Sequence, residues 1–416
     1  MKILLKSAII NDPNSDFHLK KYDILISDDK IVELRSKIDD ESAKIVKLKN
    51  LNISPGWFDS GVSFGEPGYE ERETISNGLE VAARSGFTKV LLSPNTDPPT
   101  DSHSTVSHLI KKSQNKTTSL IPIGCLSQNS KGKEMAQLYD MKLAGAVAFG
   151  DYKKPIVNAN FLKIALEYSQ SFNGLIISYP SNYKIDKNGI VHEGLISAET
   201  GMKGMPDISE SIQISRDIQI LEYTGGKLHI PFISSRRGID LIRAAKKKRL
   251  DITCSVGLPH LLFSDENVKD FNPNFKIFPP LRSKDDRLAL KEALLEGVID
   301  MISSMHEPIN IENKKIEFDL ALPGTIGLEA CFGVLMNLFP LNKVLDFLIK
   351  GAKRFNVKTA PIQPGSKADL TLFNPDSHSI MKLENIYSTS KNCAFIDQEL
   401  SGRVYGSYNN GILTLL

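Results

Sequence analysis

Residues 57–95 read WFDSGVSFGEPGYEERETISNGLEVAARSGFTKVLLSPN. An apolar run, GWFDSGV, is followed by a polar loop and by RETISNGLEVAARSG, whose apolar residues keep helical spacing. That segment has an acidic start and a Gly stop, the punctuation of a helix. A second apolar run, KVLLS, comes next, so the stretch is one strand–helix–strand unit. The same alternation continues downstream. SLIPIGC, GAVAF, GLIIS, KLHIPFI, DITCSV and GVIDMIS bring the candidate strands to eight, with helical segments such as SESIQISRDIQILEYTGG and RRGIDLIRAAKKKR between them. Eight β/α units over about 300 residues predict a closed (β/α)8 barrel. The basic run Lys246–Arg249 falls in the last turn of its helix, where it suits the dipole better than a phosphate.

The two ends of the chain differ from the middle. KILLKSAII, YDILISD, KIVELRS and AKIVKLKNLNI are short apolar runs separated by the turn signals NDPNSD and SDDK; KADLTLFNP, NCAFID and GRVYGSYNNGILTLL close the chain in the same manner. The sequence therefore predicts a composite β-sandwich domain from residues 1–53 and 358–416, and a barrel domain over 54–357.

Composition narrows the function. The chain has 416 residues, 51 Lys+Arg against 49 Asp+Glu, and formal net charge +2, so it lacks the basic footprint of a dedicated nucleic-acid binder. No apolar run reaches the length of a spanning helix, and a cytoplasmic protein is expected. Cys125, Cys254, Cys331 and Cys393 are far apart with no CxxC, which predicts reduced thiols. A metal site would have to draw on carboxylates and on only eight His.

In a barrel of this kind chemistry sits at the C-terminal ends of the strands. The segments DSGVSFGEPG, SPNTDPPTD, GAVAFGD, GMPDISESIQISRDIQ, FISS, PPLRS, PGTIGLE and PGSKADLTLF, in that order, resemble dihydroorotases of the long, class I type in the amidohydrolase superfamily. The resemblance runs through nearly the whole chain. It implies a metal-dependent barrel that interconverts carbamoyl-aspartate and dihydroorotate in pyrimidine synthesis.

The family's catalytic positions are another matter. Its strand one opens D-x-H-x-H-x-R, with two His at i and i+2 pointing to one side to share a metal. Asp59 is kept here, but the His positions are Gly61 and Ser63 and the substrate-binding Arg position is Gly65. Strand four keeps its carboxylate, Asp151. The ligand His of strand five is Ser178, and the metal-binding His of strand six is Phe232, although His229 precedes it. The family's T-D-H-A-P-H reads Ser304-Met305-His306-Glu307-Pro308-Ile309, so the general-base position is Met305. N-P-P-L-R becomes Phe278-Pro279-Pro280-Leu281-Arg282. Of the aligned metal positions (Gly61, Ser63, Asp151, Ser178 and Phe232) Asp151 alone carries a ligand side chain.

Several expectations follow. Asn95 matches the family's substrate-contacting Asn and is read as a residual binding group, or as a loop cap. Asp151 and His306 are read as satisfied polar groups, and a replacement set of His229, His260, Asp151 and His306 has no supporting local spacing. Ser178 and Ser234 have no His partner in the sequence. Phe64, Phe232, Phe278 and Met305 are expected to fill the former pocket. The main expectation is a non-catalytic dihydroorotase-like pseudoenzyme, with no cofactor, acting in an oligomer as a structural or regulatory partner of aspartate carbamoyltransferase. The alternative is an active dihydroorotase or other cyclic amidohydrolase with a non-standard site, which would restore a need for zinc.

Overall fold

The computed structural model describes residues 2–416. Strands from both ends of the chain form one hydrogen-bonded sheet. Its order is Ile412–Leu415, Glu399–Asn409, Leu370–Ile380, Asn52–Pro55, Ile3–Ile10, Lys21–Ser27 and Lys30–Arg35, with Lys44–Val46 also pairing to Ile3–Ile10. The two termini meet where Leu370–Ile380 runs antiparallel to Asn52–Pro55, placing Leu370 opposite Pro55 and Phe373 opposite Asn52. Asp28 and Asp29, both at positive φ, make the tight turn between Lys21–Ser27 and Lys30–Arg35, as the twist of a two-residue hairpin requires. Ile3, Leu5, Ile24, Ile26, Ile53, Leu370 and Leu372 point to one buried face.

The barrel strands fall where the sequence places them. Trp57–Val62, Phe87–Leu92 and Ser119–Pro122 are parallel neighbours. Ile176–Ile177, Leu228–Ile230, Ile252–Gly257 and Met301–Ser303 form a second parallel set. The fourth strand is reduced to Phe149, which bridges Gly124 on one side and Ile176 on the other. Its neighbours still bond strand three, Val147 N–H to the Pro122 carbonyl at 3.2 Å, Gly124 N–H to the Ala148 carbonyl at 3.0 Å and Gly150 N–H to the Gly124 carbonyl at 2.9 Å; a Cβ on Gly150 would lie 2.8 Å from the Cβ of Ile177. Strand eight returns to strand one through Ser63 N–H to the His306 carbonyl at 2.8 Å and the Ser60 hydroxyl to the Ile302 carbonyl at 3.2 Å.

Local signals set the helix ends. The Thr74 hydroxyl accepts from Asn77 N–H to start helix Ile75–Arg84, and Gly86 at φ 90° follows its end. Ser235 caps helix Arg236–Lys247 by accepting from Gly238 N–H. Lys246, in that helix's last turn, pairs with Asp300 at 2.7 Å.

Sheet and barrel share a core at Trp57. Its indole stacks on Phe332 at 4.9 Å between centroids and touches Phe87 and Phe373, while its N–H donates to the Ser54 hydroxyl at 2.9 Å. All four Cys are buried and free.

Candidate active site at the barrel mouth

Strand one delivers Asp59 to the interior, fully enclosed. It accepts from Gly61 N–H at 3.0 Å and Ser304 N–H at 3.1 Å, so this acid staples strand one to strand eight. Burial outweighs those hydrogen bonds and pushes its pKa up to about 6. Because the folded pKa exceeds the unfolded one, this group's contribution is full below about pH 4 and is lost as pH rises through 6. The swing is about 3 kcal/mol at 1.36 kcal/mol per unit. Asp59→Asn is expected to flatten the fall in urea-unfolding free energy between pH 4 and 6; an unchanged slope would assign that fall to other groups.

The remaining strand-one positions are closed. Gly61 faces the ring of Phe232, with its missing Cβ site 3.4 Å from Phe232 Cζ. Ser63 accepts from the Asn95 side-chain amide at 2.7 Å. At Gly65 a Cβ would fall 1.7 Å from the Tyr69 carbonyl oxygen, so the loop itself fills the space an Arg would need.

Asp151 is consumed by the loop after strand three. It accepts from Leu126 N–H at 2.9 Å, from Ser127 N–H at 3.1 Å and from the Ser127 hydroxyl, while burial raises its pKa. Ser178 donates to Asp217 at 2.6 Å. Ser234 donates to Glu210. Neither serine has an imidazole partner, in line with its sequence context.

Phe232 and Met305 project inward and pack with Tyr179, against which Tyr152 also leans. Tyr152 (φ 57°), Phe232 (φ 54°) and Met305 (φ 52°) are all in the left-handed region. Each costs about 1–2 kcal/mol without a glycine's freedom, so the surrounding structure imposes these directions. Phe64 instead packs over Gly78 and beside His306, and Phe278 is half-buried outside the cluster. Two of the four residues expected to fill the pocket therefore do so, with Tyr179 in place of the others. The space lined by Ser60, Gly61, Tyr152, His229 and Phe232 amounts to about 20 Å³, close to the room one water needs.

One polar group of the mouth escaped the sequence reading. Lys153, beside the expected ligand, pairs with Glu307 at 2.6 Å. The Tyr152 hydroxyl lies against Glu307 and Ser63, and burial together with the Glu307 charge raises its pKa. The chain Asn95–Ser63–Tyr152–Glu307–Lys153 thus joins the ends of strands one, two, four and eight. The only signal was position: two ionisable residues, each two places from an aligned family site. Arg282 likewise turns out to be structural, donating to Ser234 at 3.2 Å, to the Met205 carbonyl and to His192.

The donor set does not fit zinc. At least three protein ligands are needed, and among the described residues no group of three His, Cys, Asp or Glu side chains could hold a metal ion. The set His229, His260, Asp151 and His306 is dispersed. His229 bonds Thr253 at 3.0 Å and His260 bonds the Pro279 carbonyl at 3.0 Å. His306 is buried 3.9 Å from Glu73 with neither ring nitrogen hydrogen-bonded, so it is not the satisfied polar group expected.

Residues 51–238 match the family model described as dihydro-orotase-like. A dihydroorotase of Syntrophus aciditrophicus (strain SB) is 34% identical over 413 residues, covering 97% of each chain. One of Pelotomaculum thermopropionicum is 33% identical over 99% of this chain and 98% of the relative. The chain belongs to the dihydroorotase family. Among solved structures, the L-hydantoinase (dihydropyrimidinase) of Arthrobacter aurescens superposes with TM-score 0.85 at 21% identity, over 99% of this chain and 95% of that one; it shares the fold. These relatives correct the expectation of a non-catalytic partner of aspartate carbamoyltransferase. Chains a third identical to this dihydroorotase-family member from end to end bear the name of the enzyme, so the enzyme reading takes precedence. Among the described residues no helix is long and apolar enough to cross a membrane.

Proposed function

We propose that this chain is a cyclic amidohydrolase of the dihydroorotase kind, making and breaking the ring C–N bond of a cyclic ureide through a non-standard site. Near end-to-end relatedness to chains named dihydroorotase carries the reading. The polar chain at the barrel mouth supplies groups suited to it. Glu307, paired with Lys153, is the carboxylate on the strand-eight end able to take a proton from water. Lys153 is the cation able to face developing negative charge. The Asn95 side-chain oxygen is buried with no hydrogen-bond partner, an acceptor free for a ring N–H.

Turnover of dihydroorotate and of carbamoyl-aspartate by the purified chain tests the proposal, with metal content measured on the same sample. Ring opening or closure above the protein-free rate supports it; none in either direction, with or without added zinc, overturns it. Within an active enzyme, Asn95→Ala is expected to raise KM about tenfold with kcat little changed, the loss of one ligand hydrogen bond of about 1.4 kcal/mol. Glu307→Gln is expected to lower kcat about 100-fold. A KM untouched by the first change, or a kcat untouched by the second, would move the site elsewhere.

A further inference from the structure

Of the positions where the family carries metal ligands only Asp151 keeps a ligand side chain, and the mouth around it is rebuilt on two apolar side chains. Phe232 takes the strand-six ligand position and Met305 the general-base position, and both point inward from left-handed backbone. Each has a seat made by a missing side chain. The Phe232 ring reaches 3.4 Å from where the Cβ of Gly61 would stand, so any side chain longer than a methyl on Gly61 meets the ring. A Cβ on Gly257 would lie 2.0 Å from the Met305 sulfur, so the thioether depends on Gly257. Serine hydroxyls fix both backbones: Ser255 accepts from Phe232 N–H at 3.3 Å, and Ser303 accepts from Met305 N–H at 3.0 Å. The Ser303 hydroxyl in turn donates to the Gly61 carbonyl at 2.8 Å. Strands one, six, seven and eight are thereby locked through one dry contact, completed by Tyr179 from strand five.

We infer that Phe232 and Met305, seated against Gly61 and Gly257, are the keystone of the barrel mouth, and that the folded chain holds this end together with no divalent metal. The inference rests on packing and donor chemistry, and it stands apart from whether the chain turns over substrate. A metal centre joins strand ends by coordination; here van der Waals contact takes over the joining, favoured by close packing and lost where a gap opens.

The full-length protein is purified without chelator, its zinc, manganese and iron are measured, and thermal unfolding is followed with and without dipicolinate. The expected result is metal far below one per chain and a Tm that the chelator leaves unchanged. One tightly held metal per chain, or a Tm that falls on chelation and returns with zinc, overturns the inference. A double-mutant cycle tests the seat itself. Gly257→Ala and Met305→Ala are each expected to lower Tm by several degrees, and the Gly257→Ala loss is expected to shrink in the Met305→Ala background, because the clash with the thioether is gone and only the 2.9 Å approach to His260 Nδ1 is left. Strictly additive losses, or a Phe232→Ala variant as stable as the parent, overturn the keystone. Turnover that survives chelation agrees with both this inference and the proposed function. Turnover abolished by chelator and restored by zinc refutes the inference alone, and absent turnover refutes the proposed function alone.

Discussion

Replacing Trp57 by Ala is expected to lower the unfolding free energy by about 3–5 kcal/mol, the range for emptying the site of a large buried aromatic. The residue is fully buried at the joint between the terminal sheet and the barrel. It stacks on Phe332, meets Phe87 and Phe373, and donates to Ser54. These neighbours come from four separate stretches of chain, so the void cannot close by moving one of them. The replacement also leaves the Ser54 hydroxyl without its indole donor. Urea unfolding followed by far-UV circular dichroism gives the measurement, since the chain's one Trp is removed. A loss under about 1 kcal/mol would mean that sheet and barrel do not share this core in solution.

Arg282→Met is expected to cost about 2–3 kcal/mol, through the buried hydrogen bonds to Ser234, His192 and the Met205 carbonyl that it removes and the nearby Glu210 charge that it no longer offsets. Glu210 is buried and accepts from Ser234 N–H at 3.0 Å, from Ser235 N–H at 2.9 Å and from the Ser235 hydroxyl at 2.6 Å. Burial raises its pKa, and the Arg282 charge is the largest influence holding it down. Without that cation Glu210 stays protonated to higher pH. The folded pKa then lies further above the unfolded value, so stability falls as pH rises through it. The variant is therefore expected to lose more at pH 8 than at pH 5. Glu210→Gln in the same background is expected to recover part of the loss at pH 8. Equal losses at the two pH values would show that Arg282 acts by packing alone.

The barrel was legible because its signal is repetitive: strands such as Phe87–Leu92 are wholly buried runs, and helices such as Ile75–Arg84 carry both their cap and their stop. The fourth strand was overread as a full strand. GAVAF has the right composition and bonds strand three through Val147, Ala148 and Gly150, but only Phe149 bonds strand five. At the site, sequence position correctly located Phe232 and Met305 in the former pocket. It misplaced Phe64 and Phe278, because the apolar character of a residue does not say which side of a loop it faces. The Lys153–Glu307 pair is not legible for a related reason: the partners are far apart in sequence, and Glu307 stands where the family motif has Ala, a position with no chemical role to flag it. Function is not legible from the replaced ligands alone, because relatives a third identical over nearly the whole chain carry the enzyme's name.

The short fourth strand has a mechanical consequence. Val147, Ala148 and Gly150 bond strand three, but Phe149 alone joins the fourth strand to the arc of four strands beyond it. Its own amide bonds the Leu175 carbonyl, and its carbonyl receives the Ile177 amide. Two backbone hydrogen bonds hold that step, where a continuous ladder holds Phe87–Leu92 and Ile252–Gly257. Amide exchange at Phe149 and Ile177 is accordingly expected to run ahead of exchange at Val90 or Val256.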